Sequence, residues 1–501
     1  MQPNSPLIVG ELKTKGEEKL LSDLLHQAGI LYYDCNFVAS TQTLEVIQTS
    51  IEIHRPAVVL LLGDQALQKC TGKLSVHKWR SSYLKGDSQL ELTYQPQMIA
   101  TFDMESVNKM WAWSYLAVHD FKRVAQELHQ PVQIPEYNFI LNPNYSQTWA
   151  ILTELLTQAE AGELQLSVDL ETRARQIACV GLAWSPLDAI CIPFMITTGD
   201  SNYWTLEEEL SLVQGLAKLL THRNVQIIGQ NFLYDAQYLA RQWGIEVLPS
   251  FDTMIGHAVL FPGLPKNLGF LSSLYCKYHY YWKDESENWK PSEGELQLWK
   301  YNCKDCVATF EIALELQQAL SIANLSKPFS FEMSLLRPIL HMMLRGTAIN
   351  AKERGKMLMD LLQAKALCEE YFCAILPGIK LAVAKNAKPW YTSARQQQTL
   401  FYTIFKLPPI RNRKTGKPTC DDTALVEIGK KEPLLQPLCT TLATYRSLGV
   451  FLSTFIQAPL DHDKRIRCSY NPVGTETFRF NSTTDVFNYG TNLQNIPTGD
   501  F

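Results

Sequence analysis

The sequence predicts an α/β protein in which strands and helices alternate up to about position 325 and helices dominate thereafter. Apolar runs of strand length, such as PLIVG and PAVVLLLG, alternate with amphipathic segments such as EEKLLSDLLHQAG. This pattern is typical of a parallel sheet covered by helices. Long helical patterns follow residue 330 without recognisable strands. A chain of 501 residues exceeds one ordinary core, so about two to four domains are expected.

The composition is that of a globular protein, with 46% hydrophobic and 19% charged residues. The net charge of −4 neither indicates nor excludes binding to nucleic acid, which needs only a local basic patch. Apolar stretches fall short of the roughly 20 residues that cross a bilayer, so a cytoplasmic protein is expected. The 12 cysteines lack a repeating pattern, which favours reduced thiols. Cys303 and Cys306 have no second pair nearby, so no zinc site is expected there.

The segment from position 1 to about position 130 predicts a doubly wound α/β module. From about residue 150 a helix, QTWAILTELLTQAEAG, leads into the strands LQLSVDLETRA, IACVGLAWSP and AICIPFM. The helix LVQGLAKLLTHRN and the strand VQIIGQN follow. These elements predict a second sheet.

Asp169 and Glu171 lie two residues apart in the alternating strand LQLSVDLETRA, so both point to the same side. About 7 Å apart, two such charges repel by roughly 2 kcal/mol in a medium of dielectric constant near 20. The pair is either the solvated edge of an amphipathic strand or a site for a divalent cation that offsets the repulsion.

Two further pairs have helical spacing. Asn231 and Asp235 are four residues apart where a strand gives way to a helix, which predicts that both lie on one helical face. Tyr301 and Asp305 are four apart within a helix. Each pair alone is compatible with surface polarity or a helix cap.

Together the three pairs, in the chain order Asp-x-Glu, Asn-x-x-x-Asp and Tyr-x-x-x-Asp, resemble the DEDD exonuclease superfamily in its tyrosine-containing form. The segment FDTMIGHAVLFPGLPKNLGFLSSLY is similar to the stretch between the family's second and third motifs. The resemblance implies a ribonuclease H-like domain with a mixed sheet that hydrolyses single-stranded DNA from its 3′ end. The implied site residues are Asp169, Glu171, Asp235, Tyr301 and Asp305.

The resemblance also implies two Mg²⁺ or Mn²⁺ ions. Asp169, Glu171 and Asp305 would hold one ion, Asp169 and Asp235 the second, and Tyr301 would orient the attacking water. Two cations about 4 Å apart serve both the attacking and the leaving oxygen of an in-line displacement.

The helical third resembles the thumb and the start of the palm of family A DNA polymerases, related to DNA polymerase I. The similar segments are LLRPILHMMLRGTAIN, TSARQQQTLF, LATYRSLGVFLSTFI and RIRCSYNPVGTETFRFNSTTDVFNYGTNLQNIP. Phe478 and Asn481 depart from the family's usual Gly and Ser. The basic run near residue 414 is either a solvated loop or a thumb tip that grips duplex phosphates. The residues implied to contact DNA are Asn231, Arg411, Arg413, Lys414, Lys417, Arg479, Gln494 and Asn495.

The palm aspartates and the fingers of that family would follow the last residue, Phe501. Without them this polypeptide is not expected to synthesise DNA by itself. A split polymerase completed by a second polypeptide, a truncated one and a fragment all remain open.

Residues 1 to about 130 resemble the uracil-DNA glycosylase superfamily in PLIVGELKTKGEEKLLSDLLHQAGI, RPAVVLLLGDQALQKCTGK and TYQPQMIATF. The motif that starts at Gly10 departs from the family's, and Gln95 replaces its usual His. The four cysteines that bind an iron-sulfur cluster in the nearest branch are absent, since only Cys35 and Cys70 lie in this region. A degenerate module that binds DNA or a subunit is therefore expected rather than an active glycosylase. The fusion of such a module to exonuclease and polymerase domains is typical of bacteriophage polymerases. The resemblance therefore implies a viral protein in a bacterial cytoplasm.

Three domains follow from these resemblances: a glycosylase-like domain (1–135), an exonuclease domain (145–325) and the beginning of a polymerase domain (330–501). The expected function is the 3′→5′ proofreading exonuclease of a family A polymerase used in DNA replication. The alternative is a non-catalytic DNA-binding subunit that completes a split polymerase with a partner chain.

Overall fold

The computed structural model describes residues 5–196, 202–284, 294–376, 389–413 and 415–496. These residues form two compact units. The first consists of the described residues of Met1–Leu340 and of Pro472–Phe480, and the second of those of His341–Asn471 and Asn481–Phe501. Lys414, one of the predicted DNA contacts, lies outside the described residues.

The first unit begins with a five-stranded sheet in the order β2-β1-β3-β5-β4. Its strands are Leu7–Gly10 (β1), Asn36–Ala39 (β2), Val58–Leu62 (β3), Tyr83–Leu84 (β4) and Gln97–Thr101 (β5). All neighbours pair in parallel except β4, which is antiparallel to β5. The strands β1 and β3 are buried throughout because both faces are covered by helices.

The helices around this sheet are Lys15–Gln27 (α1), Leu44–His54 (α2), Gly63–Thr71 (α3), Val76–Trp79 (α4), Met104–Lys109 (α5) and Trp113–His129 (α6), with short 3₁₀ turns at Tyr32–Asp34 and Ser88–Leu90. Thr14 and Thr43 cap α1 and α2 by accepting a backbone N–H in the first turn. The predicted doubly wound module is present.

A second, six-stranded sheet has the order β11-β10-β7-β8-β9-β6. Its strands are Asn138–Ile140 (β6), Leu164–Arg173 (β7), Gln176–Ala183 (β8), Asp188–Pro193 (β9), Val225–Gly229 (β10) and Phe251–Asp252 (β11). The meander β7-β8-β9 is antiparallel, whereas β10 is parallel to β7 and β11 to β10. The sheet is therefore mixed, and β7 lies near its centre.

The helices of this region are Tyr145–Ala161 (α7), Leu206–Leu220 (α8), Leu233–Trp243 (α9), Thr253–Leu260 (α10), Leu268–Tyr275 (α11), Leu296–Ile322 (α12), Ser326–Ser334 (α13) and Leu336–Arg345 (α14). Helix α12 packs across β7, β8 and β9. The helix therefore covers the centre of the sheet and brings its side chains onto β7.

The module built on the first sheet packs against the second sheet's domain through buried arginines. Arg80 is 1% exposed and pairs with Asp120 through two nitrogens, while its third nitrogen donates to Ser273 Oγ at 2.6 Å. Arg123 donates to the carbonyl of Ser273, in the last turn of α11, and to that of Cys276, which caps this end of the helix. Cations at the carboxyl end of a helix satisfy its free carbonyls. The two sheets thus belong to one compact unit.

The second unit is mainly helical. Its helices are Ala351–Ile375 (α15), Ala394–Gln398 (α16), Asp422–Lys431 (α17) and Gln436–Phe451 (α18), with π-helical stretches at Thr399–Ile404 and Leu452–Ile456 and 3₁₀ turns at Trp390–Thr392, Pro433–Leu435 and Leu493–Asn495. A core around the buried rings of Phe372 and Phe401 joins these helices.

The prediction that strands end near residue 330 is wrong. Thr347–Ala348 (β12) pairs with Arg465–Ile466 (β13), and Cys468–Asn471 (β14) pairs with Asn481–Thr484 (β15). These strands are two to four residues long. That is too short to produce an alternating pattern in the sequence.

The predicted fold class, α/β sheets followed by a mostly helical part, is confirmed. Among the described residues, no helix combines the length and apolarity needed to cross a membrane.

Candidate carboxylate active site

Strand β7 carries the first two acids of the site. Asp169 lies opposite Gly181 of β8, and Glu171 lies opposite Cys179. Both acids are half-buried and lie on the same face of β7. The pairing shifts by one residue directly after Glu171. Such a bulge re-aims the strand beside a site.

Helix α12 supplies the third acid. Asp305 is 3% exposed, and one ligand oxygen from each of Asp169, Glu171 and Asp305 lies within 4.8 Å of the other two. The structure therefore places the acid pair in a carboxylate cluster and not on a solvated strand edge. We call the set Asp169, Glu171, Asp235 and Asp305 the carboxylate site.

Asp235 reaches the same place from the first turn of α9. Its Oδ1 accepts the backbone N–H of Leu170, between the two acids of β7, at 2.9 Å. The expectation that Asn231 shares a helical face with Asp235 is wrong, because α9 begins at Leu233 and Asn231 has a left-handed φ of 57°. Its place is the turn that leads into the helix.

The buried carboxylate of Asp252 organises that turn. It accepts the backbone N–H groups of Asn231 at 3.2 Å and Phe232 at 2.8 Å, and it also caps α10. Asp252 therefore fixes the segment from which α9 carries Asp235. The sequence signal was the Asp-Thr pair of the FDTMIGHAVLF segment.

Tyr301 lies one helical turn before Asp305 on α12, as predicted, and is 5% exposed. Burial raises the pKa of its phenol, and the charges of Asp305 and Glu171 raise the pKa further. The hydroxyl therefore stays protonated and is available as a hydrogen-bond donor beside the acids.

Three of the four acids resist ionisation. Burial and the neighbouring charge of Asp305 raise the pKa of Asp169 to about 7. Burial and the charge of Asp169 likewise raise the pKa of Glu171 and that of Asp235. Such a cluster of oxygen donors fits a hard divalent cation such as Mg²⁺ or Mn²⁺.

Two residues that sequence reasoning missed set the spacing between β7 and α12. Asn302 is fully buried, and its amide donates to Asp169 Oδ2 at 2.8 Å. It can approach because residue 181 is glycine: a Cβ there would collide with Asn302 and with the sulfur of Cys306. The only sequence signal was the position of Asn302 beside Tyr301.

Sequence reasoning also missed Trp282 and Lys283. The indole N–H of Trp282 donates to Asp305 Oδ1 at 2.7 Å, and the Lys283 ammonium contacts Asp305 Oδ2 at 2.5 Å. Both residues follow α11 in a connection without periodicity, so no pattern marked them. Cys303 and Cys306 lie in a buried apolar cluster with Cys179 and Cys191.

The described part of the predicted thumb tip is a tight turn that we call the basic loop, residues 411–418 without 414. Arg411 pairs with Pro418 as an isolated bridge, and its guanidinium donates to the carbonyl of Gly416 at 2.9 Å. Arg411, Arg413 and Lys417 are exposed. The loop thus presents several cations on one turn of the second unit.

The remaining predicted DNA contacts are exposed as well. Arg479 belongs to the first unit, and its backbone N–H donates to Thr475 Oγ1 at 2.9 Å. Phe478, where glycine is usual in the resembled family, has a left-handed φ of 57°. Gln494 and Asn495 belong to the second unit, and Gln494 accepts a hydrogen bond from Ser482 at 2.8 Å.

Residues 143–321 match a protein-family model described as a 3′-5′ exonuclease, the exonuclease domain of the DNA polymerase A family. The match covers just over a third of the chain and includes the whole carboxylate site. This region is therefore a 3′-5′ exonuclease domain of that type. None of the curated proteins matches the chain in sequence.

Among solved structures, the chain is similar to the "POL domain of Pol1 from M. smegmatis complex with DNA primer-template and dNTP". The sequence identity is 20% and the TM-score 0.49, over 72% of this chain and 56% of that one. The chain thus spans just over half the length of that structure.

Proposed function

We propose that this protein is a 3′→5′ DNA exonuclease that uses two divalent cations and removes nucleotides from a single-stranded 3′ end. The observation that carries the proposal is the convergence of three carboxylates, with ligand oxygens within 4.8 Å, beside Asp235 and the hydroxyl of Tyr301. The family match of residues 143–321 supports the direction of degradation.

The carboxylates define where cations would be held. Asp169, Glu171 and Asp305 would bind one ion, and Asp169 with Asp235 the second. Bound divalent cations supply an activated water and stabilise charge on the leaving 3′ oxygen. A bound cation would displace the protons that these acids hold, and its charge would offset the repulsion that raises the pKa values of Asp169 and Glu171.

The other residues orient the reacting groups. Tyr301, protonated at neutral pH, would hold the attacking water through its hydroxyl. Asn302 keeps the Asp169 carboxylate in one orientation by its 2.8 Å hydrogen bond. Asp252 keeps the turn before α9 in place. Placement of the reacting groups accounts for much of the rate that such a site achieves.

The test uses the full chain and Asp305→Asn, which keeps the shape of the side chain but removes its charge. We expect Asp305→Asn to lose Mn²⁺ binding in calorimetry and to lower degradation of 5′-labelled single-stranded DNA by about a thousandfold or more. A matched control is Asp188→Asn at the surface end of β9, which should retain both. Full activity of Asp305→Asn would contradict the proposal.

We further infer that the exonuclease proofreads for a family A DNA polymerase during replication. The supporting observations are the polymerase-like segments after residue 330 and the exposed cations of the basic loop, which suit the phosphates of a primer-template duplex. Primer extension with mismatched 3′ ends, with and without candidate partner polypeptides, tests this role. We expect the mismatched nucleotide to be excised first and the primer then to be extended only when a partner polypeptide is present.

The glycosylase-like module is proposed to be a degenerate DNA-binding or subunit-contact domain of bacteriophage origin. The supporting sequence features are the altered motif at Gly10 and Gln95 in place of the usual His. The test is uracil release from uracil-containing DNA by the full chain. Release above that of a buffer control would overturn this part.

A further inference from the structure

Residues 277–284, which we call the arm, connect α11 to the carboxylate site. Both carboxylate oxygens of Asp305 are held by the arm: Trp282 donates to Oδ1 at 2.7 Å and Lys283 to Oδ2 at 2.5 Å. The Lys283 ammonium also lies 4.3 Å from the centre of the Tyr301 ring. Trp282 is 6% exposed. The arm therefore places a cation and an N–H donor directly on a proposed metal ligand.

An ammonium and a divalent cation on the same carboxylate repel each other. Asp305 Oδ2 is within 2.5 Å of the Lys283 nitrogen. A metal ion that binds this oxygen would add two positive charges a few ångströms from the ammonium, and the two cations would repel each other. The ammonium must move away for the ion to bind with full strength.

We propose that Lys283 is a positioning residue that occupies Asp305 as a built-in cation and is displaced when a divalent ion binds. This proposal rests on the proposed function, because it requires Asp305 to be a metal ligand. Lys283 keeps the carboxylate site assembled without metal and lowers the affinity for metal. Its flexible stem, with a side chain 26% exposed, leaves room for the ammonium to move outward.

The glycosylase-like module holds the arm on both sides of Trp282 and Lys283. The Tyr281 N–H donates to Ser82 Oγ at 3.3 Å, and Lys78 pairs with Asp284 at 2.6 Å. The ring of Trp79 packs edge-on against that of Tyr281, with centroids 5.4 Å apart.

A backbone bond extends this contact. The N–H of Tyr83 donates to the carbonyl of His279 at 2.8 Å. The module thereby gains a second role, which is to fix the position from which Lys283 reaches the metal site. This role requires no glycosylase chemistry.

The test compares full-chain wild type with Lys283→Met, which keeps most of the aliphatic stem and removes the charge. Calorimetry with Mn²⁺ alone should show about tenfold tighter binding in Lys283→Met, because one positive charge beside the ion is gone. Its melting temperature in EDTA should fall by several degrees, since the buried acids lose their counter-charge. Lys283→Arg should restore the melting temperature in EDTA.

Matched variants separate the effect of Lys283 on Mn²⁺ binding and stability from the effect of removing any lysine. Lys218→Met removes an exposed lysine from α8 of the same domain and should change neither quantity. Lys283→Gln retains a hydrogen-bond donor without charge and should also bind Mn²⁺ more tightly, so it replaces Lys283→Met if that variant does not fold. Lys78→Met combined with Ser82→Ala loosens the arm and should tighten Mn²⁺ binding by about twofold to threefold.

The outcomes are distinguishable. Unchanged or weaker Mn²⁺ binding in both uncharged variants, with wild type binding the ion, would overturn the role of Lys283 alone. Unchanged binding in the Lys78 and Ser82 double variant would remove the module from the proposal. Absence of Mn²⁺ binding in wild type would instead contradict the proposed function.

Discussion

In the carboxylate site, four acids arrive from a strand and two helices, whereas in the basic loop three exposed cations lie on one turn. Asp169, Glu171 and Asp235 have raised pKa values because burial and repulsion from neighbouring acids act together. The cations of the loop extend into solvent, where their charge is screened. The function proposed for the first region thus depends on close placement of atoms, and the function proposed for the second depends on the number of charges. Substitutions that move atoms by an ångström should be severe in the one and unimportant in the other.

After the thousandfold loss expected for Asp305→Asn, the largest effect is expected from the removal of the Tyr301 hydroxyl beside the carboxylate site. Tyr301→Phe should lower single-turnover degradation of single-stranded DNA about a hundredfold, because the hydroxyl proposed to orient the water is lost. Mn²⁺ affinity measured by calorimetry should stay within about twofold, since the tyrosine is not a proposed ligand.

The matched control is Tyr234→Phe. The Tyr234 hydroxyl lies 2.6 Å from Thr172 Oγ1 at the end of β7, so it is near the carboxylate site but bonded elsewhere. Its loss should change the rate by less than about threefold. Equal losses in the two variants would show that the tyrosines serve packing, and the proposed role of Tyr301 would fall.

A smaller effect is expected when a single methyl group enters the site. Gly181→Ala places a Cβ against Asn302 and the Cys306 sulfur, so these side chains of α12 must shift away from β8. We expect about a tenfold loss of exonuclease rate and a loss of about 1–3 kcal/mol in the free energy of unfolding. The measurements are degradation kinetics and urea unfolding.

Gly162→Ala is the control for backbone effects. A Cβ at this position meets no atom within 4 Å. Activity and stability should remain those of wild type. If Gly181→Ala were equally silent, the close approach of Asn302 to β8 would not matter for the site.

Protonation of Asp169 should have the next largest effect. Its pKa of about 7 exceeds the ordinary value of 3.8, so the folded protein binds this proton more tightly than the unfolded chain. The stabilisation is complete below about pH 4 and is lost as the pH rises through 7. In EDTA, wild type should therefore lose stability relative to Asp169→Asn over that window, by about 1 kcal/mol per pH unit.

Asp463 of the second unit provides the opposite case. Its hydrogen bonds with Arg467 hold its pKa below the ordinary value. Asp463→Asn should therefore cost stability at neutral pH, and the cost should shrink as the pH falls below 4. If stability relative to wild type changed with pH in the same way for the Asp169 and Asp463 variants, the two carboxylates would not differ in environment as described.

The comparison also explains what the sequence could predict. Strand periodicity predicted that Asp169 and Glu171 lie on one face, and helix periodicity predicted the same for Tyr301 and Asp305. Both predictions succeed because the two periods are properties of the backbone itself. The assignment of Asp235 followed from the order and spacing of the three motifs along the chain. Asn231 was misplaced because the turn before α9 adopts a left-handed conformation at that residue, which a helical spacing does not reveal.

Residues that act through tertiary contacts left no local pattern. Gly181 matters because Asn302 approaches from another element. Trp282 and Lys283 lie in an aperiodic connection that contacts the module of the first sheet through Ser82. Long-range packing, which no window of the sequence contains, decided these cases. In the second unit, the strands β12–β15 were missed because they are only two to four residues long.

The smallest effect is expected from the basic loop. Arg413→Gln combined with Lys417→Gln removes two exposed cations, while Arg411 still holds the turn through the Gly416 carbonyl. Affinity for a primer-template duplex should fall a few-fold at low salt, and the slope of log affinity against log salt should decrease by about 1–2, since each phosphate contact contributes about 0.9.

Degradation of single-stranded DNA at saturating substrate should not change in this variant, because the carboxylate site is intact. Lys430→Gln, at the exposed end of α17, removes a charge outside the loop and should leave the salt slope unchanged. A slope change equal to that of the loop variant, per charge removed, would mean that the total charge of the second unit, and not the loop, attracts the duplex. The loop would then be an ordinary solvated turn, and the contrast with the carboxylate site would be one between a site and a surface.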